Sequence, residues 1–143
     1  MIIRTIDQLI EGRSLISVAP GARLRAACSI LNSHNVGALA VLENGALRGI
    51  LSERDVIRRG LVRPGSLDDL CVADIMTADP VTIRRGAGLV DAMTLMRDGG
   101  FRHLPVLDAA GLPVGMLSLR DIPTEYRLMA ERYQEYMTGK VPA

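Results

Sequence analysis

The sequence predicts an α/β (α+β) fold in which two β-α-β-β-α repeats pack face to face about a pseudo-twofold axis. The first observation behind this prediction is an internal duplication, since residues 21–55 reappear as residues 86–121 with thirteen identical positions and one inserted residue. The second is that helical and strand patterns follow each other in the same order in both copies. Two copies are fewer than a stacked solenoid needs, so we expect paired halves with clefts between them.

The first copy is preceded by a short helical segment. Thr5, followed three residues later by Gln8, has the form of a capping box, and Gly12 is a natural stop for the helix. The Pro20-Gly21 pair then marks a turn. The elements predicted for the first copy are a strand over 15–18, a helix with its apolar face on 24–31, strands over 36–42 and 47–51 joined by a hairpin turn, and a helix from 52 to about 60.

The second copy repeats this order and is followed by one more helix. We expect a strand over 81–83, a helix over 89–96 and strands over 101–107 and 114–117. Pro123 marks the boundary of the last helix. The predicted units are an N-terminal helical segment (1–14), repeat 1 (15–60), a linker with a short helix at 72–76 (61–76), repeat 2 (77–123) and a C-terminal amphipathic helix with a tail (124–143).

The last helix carries an apolar stripe at helical spacing. Two interpretations are open for it: packing on the chain's own core, or a subunit interface, where tyrosine and methionine are enriched. The stripe consists of Tyr126, Met129, Ala130, Tyr133, Tyr136 and Met137.

Composition narrows the possible function classes. The 143 residues suit one domain, and no apolar run approaches the roughly twenty residues of a membrane-spanning helix. The start lacks a signal-peptide pattern, so we expect a cytoplasmic protein with no membrane insertion. The net charge of +1 and the few aromatic residues disfavour a nucleic-acid surface. The single lysine, Lys140, lies in a segment expected to fray, which leaves no candidate for a Schiff-base or phosphate-loop lysine.

Neither a metal site nor a catalytic centre is predicted. Cys28 and Cys71 have no C-x-x-C spacing and are expected to be free thiols, and with His34 and His103 they show no metal-ligand spacing. No motif for a nucleophile, a metallohydrolase or a phosphate loop is present. We therefore expect a protein that is not an enzyme and requires no cofactor.

The most informative local pattern is Gly-x-x-Ser-x-x-Asp, which ends both copies at Ser52 and Asp55 and at Ser118 and Asp121. Each instance leads from a strand into a helix. A single instance is explained by helix capping, in which serine and aspartate satisfy backbone N–H groups. Two instances facing a shared cleft would suit a nucleotide, because a carboxylate accepts hydrogen bonds from ribose hydroxyls and helix N-termini attract phosphate.

Other groups could complete such a site. Strand backbone at 37–39 and 102–104 could bind adenine, between apolar neighbours such as Ile50 or Met116. Ser17 and Thr82 are matched hydroxyls in the first strand of each copy and could add hydrogen bonds.

These motifs give the chain its resemblance to a known family. Both Gly-x-x-Ser-x-x-Asp endings, the run Phe101-Arg102-His103-Leu104-Pro105-Val106 and the stretch from Asp74 to Thr82 resemble a tandem pair of cystathionine-β-synthase (CBS) domains, a Bateman module. The resemblance covers about residues 15–123. It implies adenosine-containing effectors (AMP, ADP, ATP, NAD(H) or S-adenosylmethionine) in the clefts between repeats, a homodimer shaped as a flat disc, and regulation of an effector.

The resemblance also assigns roles to residues. It implies that Asp55 and Asp121 bind ribose beside Ser52 and Ser118, and that Arg102 and His103 meet phosphate. The first copy has Gly37 and Ala38 at the matching positions, so we expect unequal clefts, with the one around Asp121 preferring phosphorylated ligands. Arg54 and Arg120 are matched and could bind phosphate or form ion pairs. The full set of candidate ligand residues is Ser17, Gly37, Ala38, Ser52, Asp55, Thr82, Arg102, His103, Leu104, Ser118, Arg120 and Asp121.

Two hypotheses of function remain at this point. The first is an adenine-nucleotide sensor that acts in trans on an unknown partner protein. The second is a ligand-independent homodimeric scaffold with the same fold, in which the Ser–Asp turns are only helix caps. A ligand-dependent hydrolase or oxidoreductase is a third possibility, and no recognisable catalytic group supports it.

Overall fold

The computed structural model describes residues 5–139 and contains two small β-sheets with helices packed on them. Residues 1–4 of the predicted N-terminal segment and residues 140–143 of the predicted tail, with Lys140, lie outside the described residues. The helices are α1 (Ile6–Ile10), α2 (Leu24–Ser33), α3 (Glu53–Asp55), α4 (Val72–Ile75), α5 (Leu89–Gly99) and α6 (Thr124–Thr138). The strands are β1 (Ser17–Val18), β2 (Ala38–Glu43), β3 (Ala46–Ser52), β4 (Thr77–Ala78), β5 (Ile83–Arg84), β6 (His103–Leu107) and β7 (Pro113–Ser118).

The two sheets share one plan, which confirms the predicted α+β fold built from a duplication. In the first, β1 runs parallel to β2, β2 and β3 form an antiparallel hairpin, and β4 adds an antiparallel edge. In the second, β5 runs parallel to β6, and β6 pairs antiparallel with β7. The registers match as well, since Ala38 pairs with Ser52 and His103 with Ser118. Each serine of the duplicated motif therefore ends its strand beside the start of the preceding one.

The hairpin turns show where the inserted residue is accommodated. In the first copy Asn44 and Gly45 both have positive φ, +52° and +79°, as a two-residue turn between strands requires. In the second copy the turn is longer, and one carboxylate oxygen of Asp108 accepts the backbone N–H groups of Ala110 and Leu112, each at 2.9 Å. The side chain thus satisfies backbone groups that the extra residue leaves unpaired.

Each repeat has its own apolar core, and each core is completed by a helix from the segment that precedes the other repeat. Ile6 and Ile10 of α1 are buried in the core of the second repeat, and Val72 and Ile75 of α4 in the core of the first. Helices of five and four residues cannot form alone in water, so this packing is what stabilises them. Thr5 caps α1 through the predicted capping box, because its N–H donates to the Gln8 side chain and its hydroxyl accepts from the Gln8 N–H.

The packing of each of these segments on the opposite repeat explains the matched glycines Gly49 and Gly115. A methyl group at Gly115 would lie 2.9 Å from Cδ1 of Ile10, and one at Gly49 would lie 2.7 Å from the carbonyl oxygen of Thr77. Both glycines allow the incoming segment to lie directly against the sheet.

The copies diverge after their Ser–Asp turns. In the first, α3 continues as a π-helix over Val56–Leu61, where an ordinary helix was predicted. In the second, only a 3-10 turn forms over Leu119–Asp121, and the residue before Pro123 is extended. The expected final helix of the second repeat is therefore replaced by α6. The edge strand β4 was not predicted.

The apolar stripe of α6 is only partly buried on the chain's own core. Tyr126 and Ala130 pack against the core of the second repeat. The remaining part of the helix presents large apolar side chains that are each more than half exposed: Leu128, Met129, Tyr133, Tyr136 and Met137.

Candidate functional site

Both Ser–Asp turns act as helix caps. The backbone N–H of Ser52 donates to Oδ2 of Asp55 at 3.0 Å, and the hydroxyl of Ser52 accepts the N–H of Asp55 at 3.2 Å. In the second copy the N–H of Ser118 donates to Oδ2 of Asp121 at 2.8 Å, and the hydroxyl of Ser118 accepts the N–H of Arg120 at 3.3 Å. One oxygen of each carboxylate is therefore used by the local backbone.

The other oxygen of each carboxylate lies at a cleft. Oδ1 of Asp55 accepts the hydroxyl of Thr77 at 3.2 Å and lies 3.9 Å from Nε of Arg59. Oδ1 of Asp121 accepts Nη1 of Arg13 at 2.9 Å. The two aspartate side chains are 12% and 18% exposed, respectively. Capping and cleft lining thus occur together, and each carboxylate keeps lone pairs for a further donor.

The larger of these clefts, here called the Asp55 cleft, has a volume of about 440 Å³. Residues from both repeats line it, because Arg102 and Phe101 of the second repeat face Ser52 and Asp55 of the first. Its charged lining consists of five arginines (Arg54, Arg58, Arg59, Arg102, Arg120) and three carboxylates (Glu53, Asp55, Asp79). The lining therefore carries an excess of two positive charges when His103 is neutral.

Three of those arginines are exposed and have no side-chain partner among the described residues. Among the described residues, Arg58, Arg102 and Arg120 make no side-chain hydrogen bond or ion pair. By contrast, Arg54 donates to the carbonyl of Gly100 at 3.2 Å, and Arg59 donates to that of Met76 at 3.1 Å. A cluster of guanidinium groups without acceptors favours an anion, and phosphate oxygens match the guanidinium geometry.

The smaller cleft, here called the Asp121 cleft, has a volume of about 210 Å³. Its charged lining within the described residues consists of Arg13, Arg120 and Asp121, beside His103. Apolar walls come from Ile10 and Met116. This cleft is thus smaller and less basic than its counterpart.

His103 forms part of the wall of both clefts. A methyl group at Gly37 would lie 3.1 Å from two ring atoms of His103, so a larger residue there would require the ring to shift. Burial lowers the pKa of His103, and Arg102 and Arg120 lower it further, while Glu53 and Asp121 act in the opposite direction. The ring is therefore biased towards its neutral form.

The structure brings together most of the predicted ligand residues but not all. Ser52, Asp55 and Arg102 line the Asp55 cleft, Ala38 and Asp121 line the Asp121 cleft, and Gly37, His103, Ser118 and Arg120 line both. Ser17, Thr82 and Leu104 line neither cleft. Ser17 is exposed on β1, Thr82 lies just before β5, and Leu104 is fully buried in the core of the second repeat.

One expected placement is wrong. Arg102 was expected beside Asp121, in its own repeat, but it lines the cleft of the opposite repeat. Sequence reasoning also missed Arg13, Arg58, Arg59 and Thr77. Thr77 belongs to the stretch from Asp74 to Thr82 that carried the family resemblance, so its presence in the cleft could have been predicted. Arg13 follows the N-terminal helix, and no sequence pattern near it indicates that this helix packs on the second repeat.

Two further expectations concern absences. In the part of the chain that the structure describes, no helix is long and apolar enough to span a bilayer. No cluster of three or more histidine, cysteine, aspartate or glutamate side chains among residues 5–139 could hold a metal ion.

Comparison with known proteins identifies the family. The family model described as CBS domain matches residues 10–61 and 72–125. The chain is 36% identical over 118 residues to the mitochondrial CBS domain-containing protein CBSX3 of Arabidopsis thaliana, covering 76% of this chain and 57% of that protein. It is 34% identical over 106 residues to the CBS domain-containing protein YhcV of Bacillus subtilis, covering 74% of each.

A solved structure resembles the fold closely. The CBS domain protein PAE2072 from Pyrobaculum aerophilum, complexed with AMP, matches with a TM-score of 0.78 at 27% identity, covering 90% of this chain and 97% of that one. Both repeats, both sheets and most of the chain are therefore accounted for by one family. The chain belongs to the proteins with tandem CBS domains.

Proposed function

We propose that this protein is a regulatory module that binds an adenine nucleotide, with the Asp55 cleft as its principal site. One observation carries this proposal: the carboxylate of Asp55 lies in the same cleft as Arg58, Arg102 and Arg120, whose guanidinium groups have no acceptor within the described chain. A carboxylate beside unpaired cations suits a ligand that joins a diol to an anion, as a nucleotide does.

Each part of the nucleotide has a counterpart in the cleft. The ribose hydroxyls would donate to Asp55, where the hydroxyl of Thr77 now donates. The phosphate would lie against the three arginines. Ile50, Pro80 and Val81 offer an apolar wall for the base. The volume of about 440 Å³ falls within the usual range of small-molecule sites, about 300–1,000 Å³, whereas the Asp121 cleft, at about 210 Å³, falls below it.

The AMP complex of the archaeal CBS domain protein supports this ligand class. For this chain we extend the proposal to AMP, ADP and ATP, with NAD(H) and S-adenosylmethionine as further candidates. The sequence-based expectation favoured the Asp121 cleft for phosphorylated ligands; we propose the Asp55 cleft as the principal site, because five arginines line it and two line the Asp121 cleft.

The remaining parts of the proposal concern partners and location. We infer a non-catalytic role in which ligand binding changes the protein's interaction with a separate partner, which requires that the partner distinguish the two states. We also infer a homodimer, since the exposed stripe of α6 offers tyrosine and methionine side chains for a subunit contact. The cytoplasmic location stays a prediction, and one relative is named as mitochondrial.

Isothermal titration calorimetry with AMP, ATP, NAD(H) and S-adenosylmethionine tests the proposal. We expect a dissociation constant in the micromolar range, equivalent to about 8 kcal/mol, for at least one of them. Asp55→Asn should weaken binding about a hundredfold, because it removes charged acceptors from the ribose hydroxyls. Asp121→Asn should change the principal site much less.

A matched control is Asp98→Asn, since Asp98 is exposed and, within residues 5–139, pairs with its neighbour Arg97 alone. Equal losses in the Asp98 and Asp55 variants would point to a general effect of charge. No binding of any of the four ligands to the unmodified chain would contradict the proposal.

The exposed stripe on α6 also favours the second candidate function, a ligand-independent homodimeric scaffold. In that case Asp55→Asn would lower stability without altering a ligand response, since Asp55 would serve only as a cap. Thermal denaturation of the wild type with and without nucleotide separates the two functions, because a ligand that binds only the folded state raises the melting temperature.

A further inference from the structure

The two matched aspartates differ in the group that engages their outer oxygen. Oδ1 of Asp55 accepts a neutral hydroxyl, that of Thr77, at 3.2 Å. Oδ1 of Asp121 accepts a cation, the guanidinium of Arg13, at 2.9 Å. The duplication supplies the same carboxylate twice, and the segments outside the duplicated stretch supply different partners.

Arg13 is held in place by the N-terminal helix. Its Nη2 also donates to the carbonyl of Leu9 in α1. That helix is anchored by Ile6 and Ile10 in the core of the second repeat. The side chain of Arg13 is 47% exposed, so it can reach solvent or a ligand without rearrangement of the core. Arg13 is therefore part of the wall of the Asp121 cleft.

We propose that Arg13 makes the Asp121 cleft select phosphorylated nucleosides over unphosphorylated ones. The inference rests on the proposed function, because it assumes that ribose binds at the Ser–Asp turns. A ribose that donates to Oδ1 of Asp121 competes with Arg13 for the same oxygen and the same space. What the rest of the ligand offers to the displaced guanidinium then decides whether it binds.

An unphosphorylated nucleoside offers nothing to the displaced cation. It breaks a charged hydrogen bond between Arg13 and Asp121 and replaces it with one from a neutral hydroxyl. A nucleoside phosphate supplies a new anion for Arg13. Arg120, which has no side-chain partner among the described residues, lies in the same cleft and adds a second cation.

In the Asp55 cleft this source of selection is weaker, because the guanidinium of Arg59 lies 3.9 Å from Oδ1 of Asp55 and donates its hydrogen bond to the carbonyl of Met76. There the competing donor is the hydroxyl of Thr77, which needs only a rotation about one bond to release Asp55. Unphosphorylated nucleosides therefore meet a larger penalty in the Asp121 cleft than in the Asp55 cleft. The effect of removing Arg13 should appear at the Asp121 cleft alone.

The test is titration of Arg13→Gln with AMP and adenosine, in an Asp55→Asn background in which the Asp55 cleft binds about a hundredfold more weakly. We expect the ratio of AMP affinity to adenosine affinity to fall about tenfold relative to the Asp55→Asn protein, which corresponds to about 1.4 kcal/mol. Arg85→Gln is the matched control. It removes an ion pair of 3.0 Å between the same helix α1 and the second repeat, through Asp7, and Arg85 lines neither cleft.

A second measurement does not depend on the Asp55→Asn protein. In an otherwise unchanged chain, Arg13→Gln should raise the number of adenosine molecules bound per chain from one to two at micromolar concentrations. An unchanged ratio and an unchanged stoichiometry, with AMP still bound by the wild type, would overturn the role of Arg13 alone. A wild-type chain that binds no adenine nucleotide would overturn the proposed function as well.

Discussion

Replacing Ile6 by alanine tests the crossing of the N-terminal helix to the second repeat. Ile6 is fully buried in the core of that repeat, although the whole first repeat separates α1 from the rest of that core along the chain. Alanine removes about three methylene equivalents, which at about 0.8 kcal/mol each amounts to about 2.4 kcal/mol of lost burial. The cavity left behind adds to this cost, so we expect a loss of about 3 kcal/mol in the free energy of unfolding.

The matched control is the same substitution at Ile57. That isoleucine lies in the π-helix after Asp55 and is 57% exposed, so its truncation should cost about 1 kcal/mol or less. Urea denaturation followed by circular dichroism gives both values, and for a chain of this size 3 kcal/mol corresponds to about 12 °C in melting temperature. Equal losses of stability in the two variants would contradict the burial of Ile6 in the core of the second repeat.

Three further predictions concern substitutions of single residues. Gly49→Ala should lower the free energy of unfolding, measured by denaturation, by about 1–3 kcal/mol, because the added methyl group would lie 2.7 Å from the carbonyl oxygen of Thr77. Gly86→Ala is the control and should leave stability unchanged, because no atom lies within 4 Å of the added methyl group. Folding lowers the pKa of His103, so the unfolded chain binds the proton more tightly than the folded chain does. The free energy of unfolding should therefore fall as the pH drops below the usual histidine pKa of 6.5. Denaturation at pH 7.5 and 5.5 measures this dependence, which His103→Gln should flatten. Tyr133→Arg should convert the proposed homodimer into a monomer in sedimentation velocity, and a variant that stays dimeric would exclude the stripe of α6 as the interface.

The elements with strong local patterns could be predicted from the sequence. The hairpin of β2 and β3 was indicated by Asn44 and Gly45, whose positive φ values the turn requires. The capping box at Thr5 and the Ser–Asp turns were also indicated, because capping depends only on residues three positions apart. Each of these features is determined by residues that are close together in the sequence.

The features that sequence reasoning missed depend on contacts between distant segments. The strand β4 has only two residues and exists because Gly49 lets the backbone at Thr77 lie against β3. The predicted location of Arg102 was wrong for a related reason. Its place at the start of the second repeat's hairpin suggested a role beside Asp121, but its side chain lines the opposite repeat's cleft. Alignment of the two copies compares residues within a repeat and contains no information about which cleft a side chain enters.

The crossing segments also explain how a duplicated chain acquires two different clefts. The Ser–Asp turn is nearly identical in both copies, down to the capping bond from serine N–H to Oδ2, at 3.0 and 2.8 Å. What differs is the segment that arrives from before the other repeat: Thr77 reaches Asp55, and Arg13 reaches Asp121. A change in either segment alters one cleft and leaves the duplicated turns intact.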